Sequence, residues 1–427
     1  MRILTLTAAW IFLFAVAFAV AGEDDTNKNM PSQKTDLIYF KDKGIDFEFR
    51  RALGYALSGG ADLNECFQTA QRITEGDDES WYTEWKATAD RVYQLGKISL
   101  AKGHTESAKE AFLRASNYYR VAEFYLKGDS KDPRILDTWG KSRDSFRKAI
   151  PYMKHAVKAI DIPYENTTLP GYFCMPDKES QKRKTLLLQT GFDGTGEELY
   201  FEVAHFALNR GYNVLIFEGP GQGGVVREQK LYFRPDWEKV ITPVVDYVQT
   251  LPQVDMNRLA LMGISMGGYL TPRAAAFEHR LSALIANSGV FSLVDPKKIP
   301  PKEVLIQDAE DVNKELYKKM EKNVSMRWSM NNGMYTFGKK TPAEFVLAYF
   351  DYTMEGVAQL IQCPVLIVDS ENDEFFTGQA KQLYDALQCP KTFLLFTEKD
   401  GATNHCQIGA IGISNMKIFD WLDETIQ

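Results

Sequence analysis

Six consecutive residues, Gly263-Ile264-Ser265-Met266-Gly267-Gly268, set a serine between glycines two positions away on either side. A turn tight enough to lift a hydroxyl clear of its backbone leaves no room for side chains at those flanking positions, so the central serine is a candidate nucleophile. The apolar run Leu259-Ala260-Leu261-Met262 precedes the segment and a helix-like run, Tyr269–Glu278, follows it. The pattern predicts strand, turn and helix, with Ser265 at the apex. A glycine turn that merely packs a helix onto a sheet would explain the glycines but not the serine.

A serine needs a base, and the near-neutral pKa of histidine suits it to take the proton. Of five histidines, His104 and His155 lie in an N-terminal helical part, His205 in an early helix of the C-terminal part, and His279 at the end of the helix after Ser265. His405, in Gly401-Ala402-Thr403-Asn404-His405-Cys406, follows the last expected strand and leaves room for an acid between serine and histidine. That acid is expected at Asp373, carried past the strand Val365–Val368 by Asp369-Ser370-Glu371-Asn372-Asp373-Glu374. Asp369 reads as a strand end, Glu371 as a turn or surface contact, and Asp400 as a weaker alternative. The acid would hold the histidine tautomer and stabilise the imidazolium.

Charge developing on a carbonyl oxygen needs fixed amide donors. One is expected from Met266 and the other from the loop Gln189-Thr190-Gly191-Phe192-Asp193-Gly194-Thr195-Gly196, with Phe192 preferred and Asp193 next. This loop lacks a Walker lysine and the G-x-G-x-x-G spacing, so it does not read as a phosphate cradle, and Glu218–Gly224 likewise reads as a turn.

The elements that must position these residues divide the chain. Residues 34–162 read as a helical module, with Ala108, Ala111, Phe112, Ala115 and Tyr119 at helical spacing and Gly76, Gly103 and Gly128 at helix ends. A tetratricopeptide-like hairpin around Gly96–Ala115 has no second copy, which argues against a repeat array. From residue 163 to 427, short apolar runs such as Thr185–Gln189, Asn213–Phe217, Arg258–Met262 and Pro364–Asp369 alternate with helices. That alternation predicts an α/β domain with a mostly parallel sheet covered on both faces. About 75 residues between Asn287 and Pro364 exceed what a connection requires, so residues 293–354 are expected to form a lid. Its methionines, Trp328 and Tyr335 fit an adaptable pocket lining and an anchoring role equally well.

The chain has 427 residues, 44% hydrophobic and 25% charged, with net charge −7. That composition is globular, and without a basic run it excludes a sequence-nonspecific nucleic-acid binder. Cysteines 66, 174, 363, 389 and 406 show no zinc-ligand spacing and are too few for a disulfide framework, so neither metal nor cofactor is expected. Residues 1–21, with Arg2, an apolar stretch and Ala19-Val20-Ala21 before Gly22-Glu23-Asp24-Asp25, read as a signal peptide cleaved after Ala21, ahead of a polar linker at 22–33. The expected location is therefore secreted or periplasmic, with no membrane attachment after cleavage.

The sequence resembles the α/β-hydrolase superfamily. The carriers are Gly191–Glu198, Glu218–Gly223, Arg234-Pro235-Asp236-Trp237, Gly263–Tyr269, Asp369–Phe376 and His405-Cys406. Together they look like the branch that holds 2,6-dihydroxypseudooxynicotine hydrolase, the fungal polyketide-shortening hydrolases and the polyketide acyltransferases. The resemblance implies an α/β-hydrolase fold, a triad at Ser265, Asp373 and His405, a helical part closing over the site, often a homodimer, and frequent cleavage of a carbon–carbon bond beside a ketone. The leading expectation is a serine hydrolase acting on an ester or ketone-activated bond of a small molecule. An acyltransferase with the same triad, a prolyl-oligopeptidase-like peptidase and a non-catalytic binding module are the alternatives.

Overall fold

A computed structural model describes residues 39–297 and 299–427, so the expected signal peptide and polar linker lie outside the described residues. The N-terminal module is built from α1 (Lys43–Gly54), α2 (Leu63–Ala70), α3 (Asp78–Ala101), α4 (Thr105–Glu123) and α5 (Pro133–Ala149). Aspartates start four of them: Asp42, Asp62, Asp77 and Asp132 each accept backbone amides of the first turn, satisfying donors that have no partner within the helix. The helical spacing in α4 marks its packed face, since Ala108, Ala111, Phe112, Ala115 and Tyr119 are all buried.

Eight strands follow: β1 (Ala156–Tyr164), β2 (Thr167–Met175), β3 (Arg183–Gln189), β4 (Asn213–Phe217), β5 (Val254–Ile264), β6 (Ala283–Asn287), β7 (Val365–Ser370) and β8 (Lys391–Phe396). Their order in the sheet is β1-β2-β4-β3-β5-β6-β7-β8. β1 and β2 form an antiparallel hairpin, β2 joins β4 antiparallel, and all remaining pairs are parallel. The boundary expected at 162/163 falls inside β1, because the sheet begins at Ala156. That strand is at the edge and half-exposed, and it carries Lys158, Asp161 and Pro163, while β2 contains Pro170 and Gly171; such residues mask a strand in sequence.

Both faces of the sheet are covered. Leu187, Leu215, Leu261 and Ile367 point to one face, against Val240, Ile241 and Val244 of α6 (Glu238–Gln249) and Leu270 of α7 (Gly267–Ala275). Leu188, Val214, Met262 and Val368 point to the other, where Ile418, Phe419 and Leu422 of the C-terminal helix pack. Period-two alternation thus gives each strand two buried faces, which is why the runs read as continuously apolar.

The insertion between β6 and β7 is a helical cap of α8 (Lys302–Gln307), α9 (Ala309–Met320), α10 (Val324–Phe337) and α11 (Pro342–Ala348). Its neck is closed by Ser292 bridging Thr353, with Leu293 N donating to Tyr352 O at 3.1 Å and Met354 N to Phe291 O at 2.8 Å. The cap's aromatic and sulfur residues divide between the two expected roles. Met326 and Met330 join the core beneath the cap, whereas Trp328 lines the cleft described next.

Candidate active site

Ser265 stands immediately after β5 with φ +59°, and the turn around it is made of close backbone approaches. A Cβ on Gly263 would lie 2.1 Å from Gly267 O, and one on Gly268 would lie 1.6 Å from Ser288 O. Only glycine fits either place. The strained serine is held by its own amide, which donates to Asn287 O at 2.6 Å.

The structure brings together the three side chains singled out in sequence. Ser265 Oγ lies 2.8 Å from His405 Nε2, and His405 Nδ1 lies 2.7 Å from Asp373 Oδ2. Asp373 Oδ1 accepts the amides of Phe375 (2.9 Å) and Phe376 (3.0 Å), so the turn after β7 fixes the carboxylate from behind. Burial opposes its ionisation, but the His405 charge and hydrogen bond, the Ser288 hydroxyl and the Phe376 amide together hold it below the usual carboxylate range. Burial likewise disfavours the imidazolium, yet the Asp373 charge and, after it, Cys406 raise His405 well above its ordinary value.

The other acids are engaged elsewhere. Asp369 accepts the Ser370 amide, Glu371 accepts the Glu398 amide, and Asp400 pairs with Lys417. His155 and His279 meet backbone carbonyls, and His205 meets Asn209.

Met266 and Phe192 both line the cleft beside Ser265 and His405. The loop bearing Phe192 lies so close to the serine turn that a Cβ on Gly191 would sit 2.6 Å from Met266 N. It is fixed from three sides. Asn332 of α10 donates to Phe192 O (3.1 Å), and Arg51 of α1 donates to Asp193 (2.6 Å) and, through two nitrogens, to Glu198. Gln222, from the second glycine-rich turn, donates to Thr190 O (2.8 Å) and Gly191 O (3.2 Å). Glu218 of the same turn accepts the Gly196 and Gly224 amides, each at 2.7 Å. That turn is therefore a brace for the first loop, and Glu218, raised to about 7 chiefly by burial, is part of it.

Around Asp373 and His405 themselves, two contributors escaped sequence reasoning. Ser288 donates to Asp373 Oδ2 at 2.6 Å, and Cys406 Sγ lies 3.3 Å from His405 Nε2. Ser288 follows β6, which lies between β5 and β7, so its position beyond that strand end was the available signal. Cys406 adjoins the histidine in sequence, but a left-handed φ of +52° turns its thiol back to the ring, and nothing in the residue pattern announces that conformation.

The cleft over Ser265 encloses ≈ 1290 Å³, its open mouth included. Phe47 from the N-terminal module, Trp328 and Tyr349 from the cap region, and Phe375 and Phe376 beside His405 give it aromatic walls. Three separate parts of the chain thus enclose one serine.

The sheet and this site define an α/β hydrolase. The FrsA-like esterase family matches residues 64–302, and the prolyl oligopeptidase family matches residues 199–426. Hydrolase LUC6 of Fusarium sp is 37% identical over 404 residues, covering 89% of this chain and 96% of that protein. The 20-hydroxy-prefusarin hydrolase FUS2 of Gibberella moniliformis is 35% identical, again covering 89% and 96%. Among solved structures, that of 2,6-dihydroxy-pseudo-oxynicotine hydrolase superposes with a TM-score of 0.69 at 22% identity, over 88% of this chain and 95% of that one. The chain belongs to the FrsA-like branch of the α/β hydrolases, together with these fungal hydrolases, and is a hydrolase enzyme.

Proposed function

We propose that the protein is a serine hydrolase that opens an ester, or a carbon–carbon bond activated by a ketone, in a small organic molecule. The hydrogen-bonded line Asp373–His405–Ser265 carries this reading, with contacts of 2.7 and 2.8 Å. Neutral His405 takes the Ser265 proton at Nε2 as Oγ attacks the carbonyl carbon, and the resulting imidazolium is stabilised by Asp373 across Nδ1. The amides of Met266 and Phe192 receive the negative oxygen. As the tetrahedral intermediate collapses, His405 returns the proton to the departing alkoxide or ketone-stabilised carbanion, leaving an acyl-Ser265. Water then enters, gives its proton to His405 and releases the acid in the reverse sequence.

The aromatic walls favour a largely apolar substrate over a hydrated peptide. Names among the relatives support the same class, since one acts on 20-hydroxy-prefusarin. The test is turnover of an ester panel by the wild type and by Ser265→Ala. The variant is expected to fold normally and lose activity by about 10⁴-fold or more; comparable activity in the two proteins would overturn the proposal.

We further propose that residues 1–21 direct export and are removed, leaving the enzyme secreted or periplasmic, as the small-residue site at Ala19–Ala21 supports. A homodimer is proposed from the resemblance to the branch, and light scattering of the purified protein tests it.

A further inference from the structure

His405 stands on a loop that the sheet alone holds weakly. The loop follows β8, the half-exposed edge strand, whereas Ser265 and Asp373 follow the inner strands β5 and β7. Directly after the histidine, Cys406 and Gln407 take left-handed φ values of +52° and +54°. Residues with a Cβ disfavour that conformation, so surrounding contacts must impose it.

The Gln407 side chain supplies such contacts. It is completely buried and pairs amide to amide with Asn287. Asn287 Nδ2 donates to Gln407 Oε1 at 2.9 Å, and Gln407 Nε2 donates to Asn287 Oδ1 at 3.1 Å. Oε1 also accepts the Ser414 hydroxyl at 2.7 Å, and Nε2 also donates to Ser370 Oγ at 3.0 Å. All four bonding directions of the amide are therefore used.

Two of those partners lead to the rest of the hydrogen-bonded line. Asn287 ends β6, and its backbone carbonyl accepts the Ser265 amide at 2.6 Å. Ser370 ends β7, and its carbonyl accepts the Asp373 amide at 3.0 Å. One buried amide thus ties the histidine loop both to the residue that holds the serine turn and to the residue that opens the acid's turn. Gln407, Asn287 and Ser370 all lie outside the lining of the cleft.

Resting on the serine-hydrolase reading and going beyond it, we infer that Gln407, through its pair with Asn287, is a positioning residue that sets His405 at hydrogen-bond distance from Ser265 and Asp373 at once. A displacement of about 1 Å at the imidazole costs on the order of 10²-fold in rate, so the pair acts on proton transfer without touching substrate.

Gln407→Met and Asn287→Leu nearly keep the side-chain volumes and remove the hydrogen bonds between them. These variants, the double variant and Ser370→Ala are compared with the wild type well below their unfolding temperatures. The readouts are kcat and KM for a soluble ester, the rate of Ser265 modification by a fluorophosphonate, and folding by circular dichroism. Gln407→Met is expected to lower kcat and the modification rate about 30-fold, with KM within about twofold. Asn287→Leu should lose a similar factor, and the double variant no more than the slower single, because each change removes the same pair. Ser370→Ala keeps the pair and should lose about threefold in kcat.

Folded variants with wild-type kcat, a change confined to KM, or losses that multiply in the double variant would overturn the inference. If Gln407→Met does not fold, Asn287→Leu and Ser370→Ala decide by the same kcat readout. Failure of the reagent to modify Ser265 in the wild type would instead overturn the serine-hydrolase reading beneath it.

Discussion

Ser288 Oγ donates to Asp373 Oδ2 at 2.6 Å, the same carboxylate oxygen that meets His405 Nδ1 at 2.7 Å. A serine beyond β6 therefore fixes the direction in which the acid presents its charge. Ser288→Ala is expected to lower kcat about tenfold with little change in KM, since the lost contact is a charge-assisted hydrogen bond outside the substrate cleft. Steady-state kinetics with a soluble ester checks this; a change confined to KM would contradict it.

As the proposed base, the raised His405 sets the expected pH dependence. Only the neutral imidazole accepts the serine proton, so activity is expected to climb with pH, with its acid limb above the ordinary histidine value of about 6.5. Asp373→Asn should move that limb to lower pH and reduce kcat by about 10⁴-fold. For stability the signs run oppositely at the two residues. The raised His405 contributes fully below its unfolded pKa, and the contribution is lost as pH rises through the folded one. The lowered Asp373 contributes above its unfolded pKa, and the contribution is lost as pH falls through the folded one. A pH–rate profile of both proteins provides the measurement.

Arg51 ties the N-terminal module to the loop that carries Phe192. It is buried with Glu198 and reaches Asp193 beside the proposed oxyanion amide. Arg51→Met strands these carboxylates and is expected to cost about 3–5 kcal/mol in urea unfolding. Arg51→Lys restores a charge but cannot reproduce the two-nitrogen grip on Glu198, and should recover only part of the loss.

The glycine turn makes a steric prediction. In Gly268→Ala the new methyl meets the Ser288 carbonyl 1.6 Å away, and neither partner is a flexible side chain. The substitution should destabilise the protein by about 3 kcal/mol or more and depress activity with it, seen as a fall in Tm.

Expression with residues 1–21 present is expected to yield an exported chain beginning at Gly22. N-terminal sequencing checks it, and retention of Met1 in the exported protein would refute it.

Much of this site was legible in sequence because the chemistry constrains spacing tightly. Ser265 was marked by flanking glycines that its turn requires, and His405 by chain order, which excluded the other histidines. Asp373 was marked by a turn just past an apolar strand, and the structure sets it against His405 while Asp369 and Asp400 find other partners. Contacts made through space were not legible. Arg51 lies 142 residues from Asp193, and Asn332 lies 140 from the carbonyl of Phe192, so no local pattern joins them. The β1–β2 hairpin was hidden by Pro163, which suits the edge strand β1, and by Pro170, which argues against a strand although β2 is paired on both sides.

Treating the wild type with a fluorophosphonate, digesting it and locating the adduct by mass spectrometry tests the central claim most directly. One phosphonyl group on Ser265, absent after His405→Ala, is the predicted result. Modification of a different residue, or undiminished labelling of Ser265 without His405, would contradict it.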